Sequence, residues 1–246
     1  MAAGRTGILI QARMSSSRLP GKMLLPLAGI PLIDFVYNHC LTSQRADLVA
    51  VVTSESPSDD ILHAHCVQQQ IPVFRGPLEN VLARYLAAAN YYTLRSVCRV
   101  CGDSPFVAVE MIDRMIEEMH SNPYEYAIVE NCIDGFMAEF IPVHTLQELA
   151  SRSLTQAEEE HVTLAIRNNL HRYNALRLDM NQTGLAAKIS LTIDTAADLE
   201  FCNSIAATLM SSSGRPRFHF NSLEIVAILD QLLQEESYNH AGPRVS

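Results

Sequence analysis

Gly7-Ile8-Leu9-Ile10-Gln11-Ala12-Arg13-Met14-Ser15-Ser16-Ser17-Arg18-Leu19-Pro20-Gly21-Lys22-Met23-Leu24 begins as an apolar run and ends as a polar loop. The run Gly7 to Ala12 has the length and composition of a buried strand. In open α/β sheets, ligands bind beyond the carboxyl ends of the strands, so the segment after Ala12 lies where a site is expected. Its composition suits a phosphate cradle. Three consecutive serines offer hydroxyls and uncrowded backbone N–H groups, and Gly21 lets the chain turn. Arg13, Arg18 and Lys22 can balance much of the charge of a triphosphate, the arginines as planar forks and the lysine as a mobile point charge. Lys22 is expected to contact only ligand. The glycine spacings of the Walker loop and of the dinucleotide fingerprint are both absent. A solvated loop with incidental arginines fits this stretch alone equally well.

Outward from the loop, strand and helix patterns alternate. Leu32–Cys40 has helical spacing, Leu48–Thr53 reads as a strand, and Asp59–Gln70 as a helix capped by Ser58. Pro72–Phe74 is a brief strand, Glu79–Thr93 a helix, Ser96–Cys101 a strand and Val109–His120 an amphipathic helix. Tyr126–Asn131 reads as a strand, and Pro142–Ser151 and Gln156–His171 as helices. Two extended stretches over Arg177–Ile193, broken at Asn181–Gly184, read as a hairpin; Ala196–Met210 and Ser222–Gln234 read as helices around a loop at Ser211–Arg217. The alternation predicts an α/β fold: a three-layer, Rossmann-like, mostly parallel sheet with helices on both faces. A single domain over residues 1–236 is expected, with an insertion at about residues 132–190 and a loose tail over 237–246.

The 246 residues, 48% of them hydrophobic and 18% charged, describe a globular chain. With 18 basic against 27 acidic residues, the net charge of −9 argues against a partner that is nucleic acid or a membrane surface. A small polyanion held by a few local cations is still allowed. Only two lysines occur, and one of them is Lys22, inside the loop. No long apolar run or leader-like N-terminus is present, so a cytoplasmic location is expected. The six cysteines are scattered without a disulfide framework. Cys98 and Cys101, three apart on a strand, point to opposite faces and cannot chelate together without a bend.

Asp103 follows a strand through Gly102, and Asp194 ends the extended stretch Ile189–Ile193. Each has a purely structural alternative: Asp103 as a turn residue in Gly-Asp-Ser-Pro, and Asp194 or Thr195 as a helix N-cap. Arg99 stands in an apolar strand, which is costly unless it is paired with a carboxylate or reaches a site.

The pattern Ala12-Arg13-x-x-Ser-x-Arg18-Leu19-Pro20-Gly21-Lys22-x-Leu24 resembles the nucleotide loop of sugar-acid cytidylyltransferases, including those that activate 3-deoxy-manno-octulosonic acid. The likeness is greatest to the spore-coat polysaccharide (pseudaminic/legionaminic-type) branch of the acylneuraminate cytidylyltransferases. Four further segments follow in the matching order. They are Val73-Phe74-Arg75-Gly76 with Asn80-Val81-Leu82-Ala83-Arg84-Tyr85; Arg99-Val100-Cys101-Gly102-Asp103-Ser104-Pro105-Phe106; Glu160-His161-Val162-Thr163; and Thr192-Ile193-Asp194-Thr195 with Asp198-Leu199-Glu200.

The resemblance implies a homodimeric enzyme that joins CTP to a small acidic acceptor, in surface polysaccharide precursor synthesis, and releases pyrophosphate. It implies Mg²⁺, with Mn²⁺ as the alternative, on Asp103 and Asp194. Nucleotide contacts fall to Ala12, Arg13, Ser17, Arg18, Gly21, Lys22, Arg75 and Arg84, with Arg13, Lys22 and Asp103 catalytic. Acceptor contacts fall to Arg99, Asp134, Glu139 and His161, the region 132–190 serving acceptor binding or dimerisation. The related pattern Asp-Gly-x-Asp-x-Glu departs here to Asp134-Gly135-Phe136-Met137-Ala138-Glu139, with Met137 in place of the middle acid. That change leaves a phosphonate or another small acid open as the acceptor. A glycosyltransferase of similar fold would need an Asp-x-Asp motif, which the sequence lacks, and a non-catalytic module would bind CTP without turnover.

Overall fold

The computed structural model describes residues 5–182, 189–211 and 218–234. Seven strands form one sheet in the order β5-β4-β1-β6-β8-β7-β9. These are β1 (Thr6–Gln11), β4 (Leu48–Ser54), β5 (Val73–Gly76), β6 (Ser96–Cys101), β7 (Tyr126–Glu130), β8 (Glu139–Pro142) and β9 (Ala175–Asp179). β1 lies between β4 and β6, parallel to both, and β5 extends the parallel half. β8 alone runs antiparallel, against both β6 and β7, while β9 is parallel to β7. A separate two-stranded hairpin, β2 (Pro26–Leu27) and β3 (Ile30–Pro31), turns through Ala28 and Gly29, both at positive φ. That backbone twist is the one a two-residue hairpin loop needs.

The central strands are apolar on both faces because both faces are covered. Ile8, Ile10, Val51 and Cys98 pack into one core, against Phe35 and Val36 of α1 (Leu32–Cys40), Leu62 and Cys66 of α2 (Asp60–Gln68), and Ile112 and Met115 of α4 (Val109–Ser121). α8 (Ala196–Ser211) and α9 (Ser222–Gln234) complete that layer. Leu9, Val52 and Val97 point the other way, against Tyr85 of α3 (Val81–Tyr91) and Leu146 of α5 (Val143–Ala150). Asn80 starts α3 by accepting the Ala83 amide at 2.8 Å.

Three local expectations change. Ser56, not Ser58, is the capping residue, and a 3₁₀ turn over Pro57–Asp59 precedes α2. The single helix expected over Gln156–His171 is broken into α6 (Gln156–Glu160) and α7 (Leu164–Arg167), because buried Val162 adopts φ 38° between them. The first arm of the expected hairpin is β9, which pairs in parallel with β7, and Ser190 bridges Asp134 rather than β9. Part of that hairpin's turn, the loop at 212–217 and the tail at 237–246 lie outside the described residues. Residues 132–190 place β8 and β9 in the main sheet itself.

Candidate active site

The loop after β1 closes on itself. The Met14 carbonyl accepts the amides of Ser16 and Gly21, both at 3.0 Å, and the Leu19 amide donates to the Ser16 hydroxyl at 3.3 Å. Gly21 stands at φ 74°, in the left-handed region that a side chain would strain. A 3₁₀ turn over Lys22–Leu24 follows, pinned by Met23 in the core. The loop is also held from outside, since its Met14 amide donates to the buried Asp59 carboxylate at 2.7 Å.

Lys22 points beneath the loop between two carboxylates. Its Nζ donates to Asp103 Oδ2 at 2.8 Å, to Asp194 Oδ1 at 3.2 Å and to the Ile193 carbonyl at 2.7 Å. Arg18 reaches the other oxygen of Asp194 at 2.7 Å. Lys22 therefore does not wait for ligand alone, as the sequence suggested; it is buried and ion-paired within the protein. Both aspartates sit on well-defined backbone. The Gly102 amide bonds the Gln11 carbonyl at 2.8 Å, and the Asp103 carbonyl accepts the Ile193 amide at 2.8 Å. The cap of α8 is a reciprocal pair, with the Asp198 carboxylate taking the amides of Asp194 and Thr195 at 3.0 and 2.7 Å, and the Thr195 hydroxyl accepting from the Asp198 amide. Thr195, one of the two expected N-caps, thus caps the helix together with Asp198, which leaves the Asp194 side chain turned to Lys22 and Arg18.

Ala12, Arg13, Ser17, Arg18, Lys22, Asp103, His161 and Asp194 line one cavity of about 540 Å³. Arg13 also makes a 3.4 Å ion pair with Glu160. Arg99, Asp134 and Glu139 line a smaller cavity of about 110 Å³, which shares Cys101 and Asp103 with the first. Arg99 donates to Glu139 at 2.8 Å and to Gln11 at 3.2 Å, so its apolar strand tolerates it through a buried pair. Glu139 also accepts from Thr163 at 2.7 Å and from the Tyr126 hydroxyl. Burial alone would raise its pKa, but the Arg99 guanidinium and these two hydroxyls hold its carboxyl below the ordinary range. Burial pushes the neighbouring Cys101 thiol up. Asp134 accepts from Ser190 at 2.7 Å.

Arg75 and Arg84 lie elsewhere. Arg75 donates to the carbonyls of Ser54 and Ser56 and pairs with Asp60 at 2.7 Å. Arg84 is fully buried, with its guanidinium on the carbonyls of Pro77 and Leu78. Both fold the chain around themselves, and neither lines the cavity. Asp59, Asp198 and Thr163 are the positioning residues that sequence reading passes over. Only Asp198 carries a local signal, the spacing Thr195-x-x-Asp198 of a capping box. Among the described residues, no three His, Cys, Asp or Glu side chains group closely enough to hold a metal, and no helix is long and apolar enough to cross a membrane.

A family model described as cytidylyltransferase matches residues 7–216. The spore coat polysaccharide biosynthesis protein SpsF of Bacillus subtilis (strain 168) is 34% identical over 228 residues, 91% of this chain and 93% of that protein. A 3-deoxy-manno-octulosonate cytidylyltransferase of Neisseria meningitidis (serogroup A, serotype 4A) is 32% identical over 130 residues, 52% of this chain and 51% of that protein. Among solved structures, a cytidylyltransferase from Leptospira borgpetersenii serovar Hardjo-bovis superimposes with a TM-score of 0.80 at 25% identity, covering 93% of this chain and 95% of that one. The matched span contains the loop after β1, both aspartates and the sheet that joins them, and it makes the chain a CTP-using nucleotidyltransferase. The chain belongs to the cytidylyltransferase family.

Proposed function

We propose that the chain transfers the cytidylyl group of CTP to a small acidic acceptor of the sugar-acid kind and releases pyrophosphate. One observation carries this reading: the three cations of the loop, Asp103 beyond the end of β6 and Asp194 just before α8 meet in a single cavity of about 540 Å³. Phosphoryl chemistry of this type rests on positioning and charge neutralisation. Arg13, Arg18 and Lys22 would hold the triphosphate. The acceptor oxygen would attack the α-phosphorus as the bond to the β-phosphate breaks.

Asp103 and Asp194 fit a magnesium ion, since hard carboxylate oxygens from two separate segments already converge on one cation, the Lys22 ammonium. Bound there, magnesium, or manganese in its place, supplies charge neutralisation at the reacting phosphates. The smaller cavity shares Asp103 with the first, which supports reading it as the acceptor's pocket, with Arg99, Asp134 and Glu139 in its wall. Half-exposed Met137 lines it too, which favours an acceptor less charged at that position than the resemblance implies.

Pyrophosphate release, measured with each of the four NTPs and Mg²⁺ against a panel of sugar acids, phosphonates and small carboxylates, tests the reading. Release is expected with CTP and an acidic acceptor, and it should be lost in Asp103→Asn. No release with any acceptor, or equal release from ATP, would overturn the assignment.

A further inference from the structure

We propose that Lys22 is a built-in counter-ion that competes with divalent metal for Asp103 and Asp194, so that metal and nucleotide enter the site together. The inference rests on the reading of those aspartates as the metal carboxylates. The three N–H groups of the Lys22 ammonium meet three acceptors: Asp103 Oδ2 at 2.8 Å, Asp194 Oδ1 at 3.2 Å and the Ile193 carbonyl at 2.7 Å. These are the oxygens a metal would use. Arg18 takes the second oxygen of Asp194 at 2.7 Å. Among the described residues, two carboxylates thus face two cations before any ligand is added.

A free divalent ion gains little from such a cluster. It must displace an ammonium that is already fully hydrogen-bonded, and it must sit close to Arg18. Magnesium also takes most of its oxygen ligands from water and substrate phosphates when a protein offers only one or two carboxylates. Among the described residues, no third acidic, histidine or cysteine side chain joins the two aspartates to make a metal cluster. A triphosphate supplies both missing things, the extra oxygens and the negative charge that draws Lys22 away.

The geometry allows that movement without refolding. Met23 is buried and the Lys22–Leu24 turn is closed by the Leu25 amide on the Lys22 carbonyl at 3.1 Å, so the backbone is held. The flexible lysine stem alone needs to swing from the aspartates toward the phosphates in the cavity that it lines. Metal and nucleotide then favour each other by the same factor, as linkage requires.

Mn²⁺ binding to the full chain, read by paramagnetic resonance of the free ion, tests this without any turnover. Wild type, Lys22→Gln and Lys22→Gln/Asp194→Asn are compared in the absence of nucleotide. Lys22→Gln is expected to bind Mn²⁺ about tenfold more tightly than wild type, and the double variant should lose that gain. The exposed Arg18→Gln provides a second route that leaves the buried lysine in place, with a smaller gain expected. Wild type and Lys22→Gln binding Mn²⁺ equally, at a site abolished by Asp194→Asn, would overturn the counter-ion role while leaving the metal assignment intact. No Mn²⁺ binding by any form, even with CTP added, would remove the metal assignment and this inference with it.

Discussion

The carboxylate of Asp59 accepts the Met14 amide at 2.7 Å through one oxygen, and the Ser54 amide at 3.2 Å and the Ser54 hydroxyl through the other. A fully buried anion thereby ties the end of β4 to the residue that follows Arg13. Asp59→Asn keeps the shape but puts a donor where an acceptor is required. A loss of about 1–3 kcal/mol is expected from the buried donor left unmet, together with a raised KM for CTP. Thermal unfolding and steady-state kinetics check both. A lower Tm with unchanged KM would show that Asp59 supports the fold and not the loop.

Gly102 lies where β1 and β6 nearly touch. A methyl group there would meet the Gln11 carbonyl oxygen at 3.0 Å, Met23 Sδ at 3.0 Å and Ala12 Cβ at 3.2 Å. Two of these belong to β1 or its immediate extension, so the strand ends must part. Gly102→Ala should cost about 1–3 kcal/mol of stability through overpacking. It should also shift the adjacent Asp103, for a loss of about a hundredfold in kcat. Full turnover in a folded Gly102→Ala protein would separate this close approach from the placement of the carboxylate.

Glu139 and Arg99 form a buried pair with a signed pH dependence. The folded-state pKa of Glu139 is lowered, so between that value and the ordinary glutamate range the unfolded chain binds more protons than the folded one. The pair's contribution is therefore complete at neutral pH and is lost as pH falls through the ordinary glutamate range toward the folded value. Glu139→Gln leaves the Arg99 cation buried without its counter-charge, at a cost of about 3–5 kcal/mol. Chemical denaturation across a pH series should show the variant less stable at neutral pH, with the gap narrowing in acid. A constant gap would mean that another carboxylate carries the acid sensitivity.

The central strands and α4 are legible in the sequence because burial on both faces demands unbroken apolar runs, and a half-buried helix demands a 3.6-residue stripe. The stretch from Gln156 to His171 carries a helical pattern too, but tertiary geometry overrides it. Buried Val162 turns the chain so that Glu160 faces Arg13 while Thr163 faces Glu139. Arg13, Arg18, Lys22 and Asp103 are legible from residue type and strand-end position together, and Asp194 from residue type alone, since the strand expected to end there is an isolated bridge at Ser190. The placement of Arg75 and Arg84 away from the cavity is not legible, because their partners include backbone carbonyls at Ser54, Ser56, Pro77 and Leu78, and a carbonyl has no signature in the sequence. Asp59 is hidden for the same reason, since the groups it organises are mostly backbone amides.

Lys22 and Asp194 stand 172 positions apart along the chain. During synthesis, the loop that carries Lys22 leaves the ribosome well before this partner and stays without it while the intervening strands are made. β1, β4 and β5 can pair as they emerge, since domains fold progressively from the N-terminal side. The aspartate that closes the cluster arrives only after all seven strands of the sheet. A nascent chain arrested before residue 194 can carry the strands of the sheet but lacks one of the two carboxylates, so the ion-pair cluster is completed in one step rather than built up along the way.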